Sequence, residues 1–219
     1  MKTIHITANS RLSAAIKQRA LLSSGNRVIE TPVVMTLGQW WQLWQTSALL
    51  SAELTADVLP KKVLNGFEAQ WLWEQLLQEV LDKRLQADSN DVADDDSIQA
   101  ESIALLNIHT TAKQLYQAWL LCAEWLPEDW QNDSIVSDET RLFKEVLQLY
   151  LKRLETKGWQ DDALLSKQRL SWLLKDAIGK KQLPQRFCLH GFDDLSPNIK
   201  QWKSAVEALG CIVENDAET

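Results

Sequence analysis

The chain has 219 residues, of which 45% are hydrophobic, enough for one large domain or two small domains with a buried core. Its net charge of −7 argues against a nucleic-acid-binding surface that covers the whole chain. No segment approaches the ~18 apolar residues that span a bilayer, and the opening MKTIHITANSRL lacks the apolar block of a secretory signal. We therefore expect a cytoplasmic protein with no membrane partner.

The predicted elements follow three successive patterns along the chain. The first is α/β: a strand at 2–6, a helix from Asn9 or Ser10 to about Leu22, short β-like pieces at 27–29 and 33–36, and a helix from Leu37. The second is helical: segments at 67–85, 108–126, 137–154 and 161–178. The third is again α/β: a strand at 186–190, a helix from Ser196 to about Leu209, and a strand from Cys211.

Helix boundaries carry particularly clear local signals. Ser137 and Ser196 are good N-caps, and Pro197 suits the first position of a helix. Gly158 and Gly210 suit the position just after a helix, where a left-handed backbone conformation is common. The strand, helix and strand at the C-terminal end predict a parallel unit with a right-handed crossover.

These patterns predict an α/β fold whose two α/β parts lie at the chain ends, with about 120 helical residues inserted between them. The expected boundaries are 1–50 and 181–219 for the two parts of the sheet domain, with the helical insertion at 51–180. Most of the eleven tryptophans lie on apolar helix faces and are expected in the core. Trp130 and Trp159, beside loops, stay open as surfaces on which a nucleic-acid base could stack.

Cysteines and histidines are too scattered to predict a metal site. The chain has three of each: Cys122, Cys188, Cys211, His5, His109 and His190. They form neither a CxxC pair nor a histidine pair at the helical i, i+4 spacing. We expect reduced thiols in the core, no bound metal and no cofactor.

Charge is distributed unevenly. The first 29 residues contain no acid and these bases: Lys2, Arg11, Lys17, Arg19 and Arg27. Residues 88–101 contain six acids and no base. The acidic stretch is interpreted as a solvated loop, because an EF-hand would require a central glycine that it lacks.

A nucleotide-hydrolysing site is not encoded in these residues. Such a site places a phosphate-binding GxxxxGK[ST] loop after the first strand, where glycines let backbone N–H groups approach the phosphates. Here the corresponding turn is ITANSRLSAAI, no glycine precedes Gly25, and no Gly-Lys-Ser/Thr triplet occurs. We therefore expect no catalytic residues in this chain.

The stretch HGFDDLSPNIKQW, residues 190–202, resembles the second helicase motif of superfamily 1 DNA helicases of the UvrD/RecB kind. In that motif an apolar strand ends in Asp-Glu. His190 and Gly191 stand where those magnesium-binding and catalytic acids should be. Asp194, in contrast, matches the type of residue that follows the acids in that motif. Asp193 and Asp194 are expected in the turn that leads into the next helix, where Asp and Ser side chains satisfy helix N–H groups.

Four motifs in order are similar to AddB-type subunits of bacterial helicase-nucleases and a related family of DNA repair proteins. They are TANSRL (7–12), ETPVVMTLGQWWQLW (30–44), EAQWLWEQLL (68–77) and HGFDDLSP (190–197). The resemblance implies a degenerate RecA-like domain, whose parallel sheet is formed by the two chain ends, with a helical insertion resembling domain 1B. It also implies that the chain is the N-terminal part of a longer protein whose RecB-like nuclease domain lies outside it.

On this resemblance, the degenerate nucleotide-site positions are Asn9, Ser10, Arg11, His190, Gly191 and Asp194. The expected function is a non-catalytic, DNA-guiding or architectural scaffold in DNA repair or recombination. Candidate nucleic-acid contacts are Arg11, Lys17, Arg19 and Arg27, and the expected partners are single-stranded DNA and a helicase-nuclease subunit. Two alternatives stay open: the bases form an ordinary solvated helix face, or the chain is a helical protein-interaction module that does not bind nucleic acid.

Overall fold

The computed structural model describes residues 3–23, 31–88, 107–126, 130, 137–175 and 178–216. Its strands are β1 Thr3–Thr7, β2 Val33–Thr36, β3 Lys62–Val63, β4 Trp159–Gln160, β5 Arg186–His190 and β6 Ile212–Asp216. Its α-helices are α1 Ser10–Ser23, α2 Leu37–Leu50, α3 Gly66–Asp88, α4 Ile108–Trp125, α5 Asp138–Lys157, α6 Asp162–Lys175 and α7 Pro197–Ala208. The prediction of a mixed α/β chain with a helical middle is confirmed.

The chain forms two compact units, Met1–Leu59 with Ser166–Thr219, and Pro60–Leu165. We call them the sheet unit and the helical unit. The division falls within α6, whose later residues Leu170 and Leu173 belong to the core of the sheet unit. The expected boundaries at 50 and 180 stay a prediction.

The sheet unit contains four parallel strands in the order β2-β1-β5-β6. This confirms that strands from the two chain ends form one parallel sheet. The connection through α1 leads away from β1 to one side, and the connection through α7 leads away from β5 to the other. The boundary between β1 and β5 is therefore a topological switch point, where open α/β sheets bind ligands at the carboxyl ends of their strands.

Successive residues of a strand point to opposite faces of the sheet. On one face, Ile6, Phe187 and Leu189 pack with Trp40 of α2 and Trp202 of α7. The aromatic rings of Trp40, Phe187 and Trp202 meet edge to face, a favourable arrangement. The predicted core role of the tryptophans in α2 is confirmed, since Trp40, Trp41 and Trp44 are all buried.

Local capping explains where several helices begin and end. Ser137 and Ser196 accept the N–H groups of Thr140 and Ile199. Gly158 ends α5 in the left-handed region at φ +65. These predicted caps are confirmed, whereas the predicted helix end at Gly25 and the β-like piece at 27–29 lie outside the described residues.

The helical unit packs α3, α4 and α5 around Trp73 and Tyr150, with the two-stranded parallel ribbon of β3 and β4 beside them. One buried carboxylate, Asp161, connects three elements of this core. Its Oδ2 accepts the indole N–H of Trp119 at 2.7 Å and the hydroxyl of Tyr150 at 3.0 Å. Its Oδ1 accepts the backbone N–H of Leu164 at 2.9 Å, which caps α6.

Candidate functional site

The candidate site lies at the carboxyl ends of β1 and β5. Between β1 and α1 the chain has only two residues, Ala8 and Asn9. The Ala8 N–H donates to the carbonyl oxygen of His190 at 3.1 Å, and Asn9 Oδ1 accepts the N–H of Leu12 at 2.9 Å. A phosphate-binding loop needs a longer arc of N–H groups that point at the ligand. Here those two N–H groups are already bonded within the protein.

The Thr7 side chain holds this turn in place through its hydrogen bonds. Its hydroxyl donates to the carbonyl oxygen of Asn9 at 3.0 Å, and its Oγ1 lies 2.7 Å from the Ser13 hydroxyl oxygen. Thr7 and Ser13 are both buried. These hydrogen bonds attach the first turn of α1 to the end of β1, so that the turn cannot open without leaving buried hydroxyls unpaired.

His190, the last residue of β5, is only 6% exposed. Its Nε2 lies 2.8 Å from Nδ1 of His5, and the two ring centroids are 5.0 Å apart. A hydrogen bond between two imidazole nitrogens requires one donor and one acceptor, so one of these two nitrogens carries no proton. His190 therefore bonds back along the sheet rather than taking the place of a magnesium-binding acid.

Gly191 has a backbone conformation and a contact with Leu12 that both disfavour a larger side chain at this position. Its φ is +70, in the region that favours glycine. A Cβ at this position would lie 2.6 Å from Cδ2 of Leu12 and 3.8 Å from Cβ of Ala8. Leu12 occupies the space beside Gly191 that a side chain would need. We call the Leu12–Gly191 contact, together with the Ala8–His190 hydrogen bond, the closed switch point.

Asp193 and Asp194 are exposed in the turn between β5 and α7. The N-cap of α7 is Ser196, whose hydroxyl accepts the Ile199 N–H at 3.4 Å. The expected capping of this helix is thus carried by the serine. Two exposed carboxylates that follow Gly191 also repel an approaching anion.

The basic residues of α1 are exposed to solvent. Arg11, Lys17 and Arg19 are exposed, and α1 contains no acidic residue. Successive helix residues are rotated by about 100°, so Arg11 lies opposite the face that carries buried Ser13. Lys17 and Arg19 lie on the two sides of that buried face. The three bases spread around the solvent side of the helix instead of converging on one point. Arg27 lies outside the described residues.

The described residues give little support to thiol or metal chemistry. Burial raises the pKa of the Cys122 and Cys211 thiols, which lowers their reactivity at neutral pH. Cys188 is paired in register with His5, on the same sheet face as His190. Even so, the described ranges contain no group of three His, Cys, Asp or Glu residues able to hold a metal ion. Among the described residues, no helix is both long and apolar enough to cross a membrane.

The structure brings Asn9, Ser10, His190 and Gly191 to one edge of the sheet. The residues that sequence reasoning missed are Thr7, Leu12 and His5, which hold this edge closed. Thr7 and Leu12 lie inside the TANSRL motif, but only the three-dimensional contact with Gly191 gives Leu12 its role. No protein-family model matches the chain, and comparison with curated proteins finds no significant match.

Proposed function

We propose that the chain is the non-catalytic, helicase-like part of a DNA repair or recombination protein and guides single-stranded DNA. In this proposal the sheet unit is a degenerate RecA-like core that serves as a scaffold. The observation that carries the proposal is the closed switch point. Where a motor domain would hold nucleotide phosphates and magnesium, Leu12 packs against Gly191, and His190 pairs with His5.

The bases on α1 support the DNA-guiding half of the proposal. α1 is three charges positive within a chain whose net charge is −7. Exposed Arg and Lys side chains bind phosphate groups irrespective of base sequence. Because Arg11, Lys17 and Arg19 spread over the solvent side of α1, they suit a flexible strand that passes along the helix better than a single bound phosphate.

A DNA-binding titration tests this role. We expect a labelled single-stranded oligonucleotide to bind at low salt and to dissociate as salt increases. Replacing Arg11, Lys17 and Arg19 together by Ala should reduce the slope of log K against log salt by about 2, at roughly 0.7 per phosphate contact. Fluorescence anisotropy at several salt concentrations measures this slope.

The matched control replaces Lys180, Lys181 and Lys200 by Ala, which removes the same charge from exposed lysines of the same unit outside α1. The control should retain most of the affinity. Equal losses in the two triple variants would contradict a specific role for α1 and leave only a general effect of net charge.

A second function, docking to a protein partner, is favoured by one feature of the helical unit. Phe67 and Trp71, one turn apart on α3, are 79% and 55% exposed. Exposed aromatic side chains are enriched at protein interfaces. If the chain bound no single-stranded DNA even at low salt, the DNA-guiding role would be wrong and this second function would take its place.

A further inference from the structure

The ribbon of β3 and β4 in the helical unit holds lysines around a tryptophan. Lys62 is paired in register with Trp159, and Val63 with Gln160. The Lys61 N–H donates to the Gly158 carbonyl, and the Leu64 N–H donates to the Gln160 carbonyl, both at 2.8 Å. The backbone therefore fixes this segment on both sides of the Lys62–Trp159 pair.

Two lysine side chains lie over the Trp159 ring, and the stem of a third lies beside Gly158. Nζ of Lys62 lies 5.5 Å from the centroid of the Trp159 ring, and Nζ of Lys157 lies 5.9 Å from it, both within range for a cation–π interaction. The stem of Lys61 passes Gly158 so closely that a Cβ there would meet its Cδ at 3.2 Å. All three lysines are exposed and Trp159 is half-buried. We call this group the lysine–tryptophan ribbon.

Two acids beside the ribbon are already bonded within the protein. Glu68 forms an ion pair with Lys62 at 2.7 Å, and this hydrogen bond lowers the pKa of Glu68. Asp161, which directly follows β4, is fully buried with its oxygens bonded to Trp119, Tyr150 and Leu164. Among the described residues, Lys62 is the only ribbon lysine with a carboxylate within ion-pair distance.

From this geometry we infer that the lysine–tryptophan ribbon is a contact surface for single-stranded nucleic acid, in which Lys61 and Lys157 bind phosphates and Trp159 stacks on an unpaired base. Surfaces that bind single strands combine basic side chains along the backbone with aromatic rings on which bases stack. A folded acidic protein is a weaker candidate for the partner, because it would contact the lysines but would not need the tryptophan ring. The inference deepens the proposed function by giving the strand a contact on the helical unit, independent of α1.

The test separates base stacking from phosphate binding. Anisotropy titrations compare an oligo-dT with an abasic strand of the same length and charge, for the wild-type chain and three ribbon variants. Trp159→Leu removes the aromatic ring, Trp159→Phe retains a ring, and Lys61→Ala with Lys157→Ala removes two bases. Thermal unfolding of each variant, followed by circular dichroism, confirms that the helical unit is folded.

We expect Trp159→Leu to weaken oligo-dT binding by about fivefold or more and to leave abasic binding unchanged. Trp159→Phe should restore part of the loss. The double lysine variant should lower the salt slope for both strands by about 1.4. Equal losses for the two strands in Trp159→Leu would overturn the stacking role, because the ring would then only position the lysines.

The α1 triple variant distinguishes this inference from the proposed function. If binding is lost in the α1 variant but unchanged in all ribbon variants, the ribbon inference is wrong and the α1 role stands. If binding is lost only in the ribbon variants, the inference stands and the α1 role is wrong.

Discussion

Replacing Gly179 by Ala should destabilise the sheet unit by about 2–4 kcal/mol. Two effects add at this position. The φ of Gly179 is +70, which costs a residue with a Cβ about 1 kcal/mol. In addition, a Cβ would collide with Nε1 of the buried Trp44, and forcing atoms into a packed core costs about 1–3 kcal/mol.

Trp44 has little freedom to move out of the way. It is buried, its ring lies against Trp40 and Trp41, and all three belong to the main core of the sheet unit. The Gly179 N–H also donates to Glu53 Oε2 at 2.7 Å, so the backbone at this position is anchored. Urea unfolding followed by tryptophan fluorescence measures the change.

Gly210→Ala is the matched control for this substitution. Gly210 has φ +97, but no atom lies within 4 Å of a Cβ built on it. Its replacement should therefore show only the backbone cost of about 1 kcal/mol. If Gly179→Ala were no more destabilising than Gly210→Ala, the close contact between Gly179 and Trp44 would be wrong.

Replacing Asp161 by Ala should destabilise the helical unit by about 3–5 kcal/mol. The substitution leaves the Trp119 indole N–H and the Tyr150 hydroxyl buried without their acceptor, at about 1–3 kcal/mol each, and it removes the cap of α6. Asp161→Asn keeps one acceptor oxygen but turns an amide NH2 towards the remaining donor, so it should cost less than Asp161→Ala without being neutral. The exposed neighbour Asp162 provides the control, since Asp162→Ala should change the unfolding free energy by less than about 1 kcal/mol.

The two tyrosines of the chain report on the same carboxylate. Burial, and then the negative charge of Asp161, raise the pKa of Tyr116 to about 12, and the same two causes raise the pKa of Tyr150. An unfolded chain ionises its tyrosines near pH 10. The stabilisation from Tyr116 is therefore fully present below pH 10 and is lost as pH rises through about 12.

Tyrosinate absorbance follows this ionisation directly. Asp161→Asn should shift the titration of the folded chain to lower pH, because it removes the charge but leaves the rings buried. A titration that is unchanged in Asp161→Asn would contradict the coupling between Asp161 and the tyrosines.

Local signals predicted much of this fold. Ser137, Ser196 and Gly158 mark helix ends through hydrogen bonds or backbone conformations that involve only their near neighbours, and the structure confirms them. The parallel unit at the C-terminal end was also predictable, because strand, helix and strand follow one another at short spacing. The order of strands from the two chain ends could not be read from such signals.

The features missed by sequence reasoning depend on distant contacts or very short elements. β3 and β4 have two residues each, too few for any periodic pattern. On α4 the buried residues are Ala112, Tyr116, Trp119 and Ala123, whereas Leu126, just after the end of the helix, is exposed. Asp161 has the sequence signature of a cap, but its partner Trp119 lies 42 residues away.

The residue types at the candidate site could be predicted from the sequence, but the contacts between them could not. The missing glycines and acids indicated that nucleotide chemistry was absent. The contact of Leu12 with Gly191 and the hydrogen bond from the Ala8 N–H to His190 could not be read from the sequence.

Calorimetric titration of the purified chain with ATP in the presence of magnesium tests the closed switch point most directly. We predict no saturable heat at millimolar ATP, because the Ala8 and Leu12 N–H groups are bonded within the protein and His190 bonds back to His5. Saturable, magnesium-dependent binding that weakens when Asn9 or His190 is replaced by Ala would contradict the account. This edge of the sheet would then be a working nucleotide-binding site.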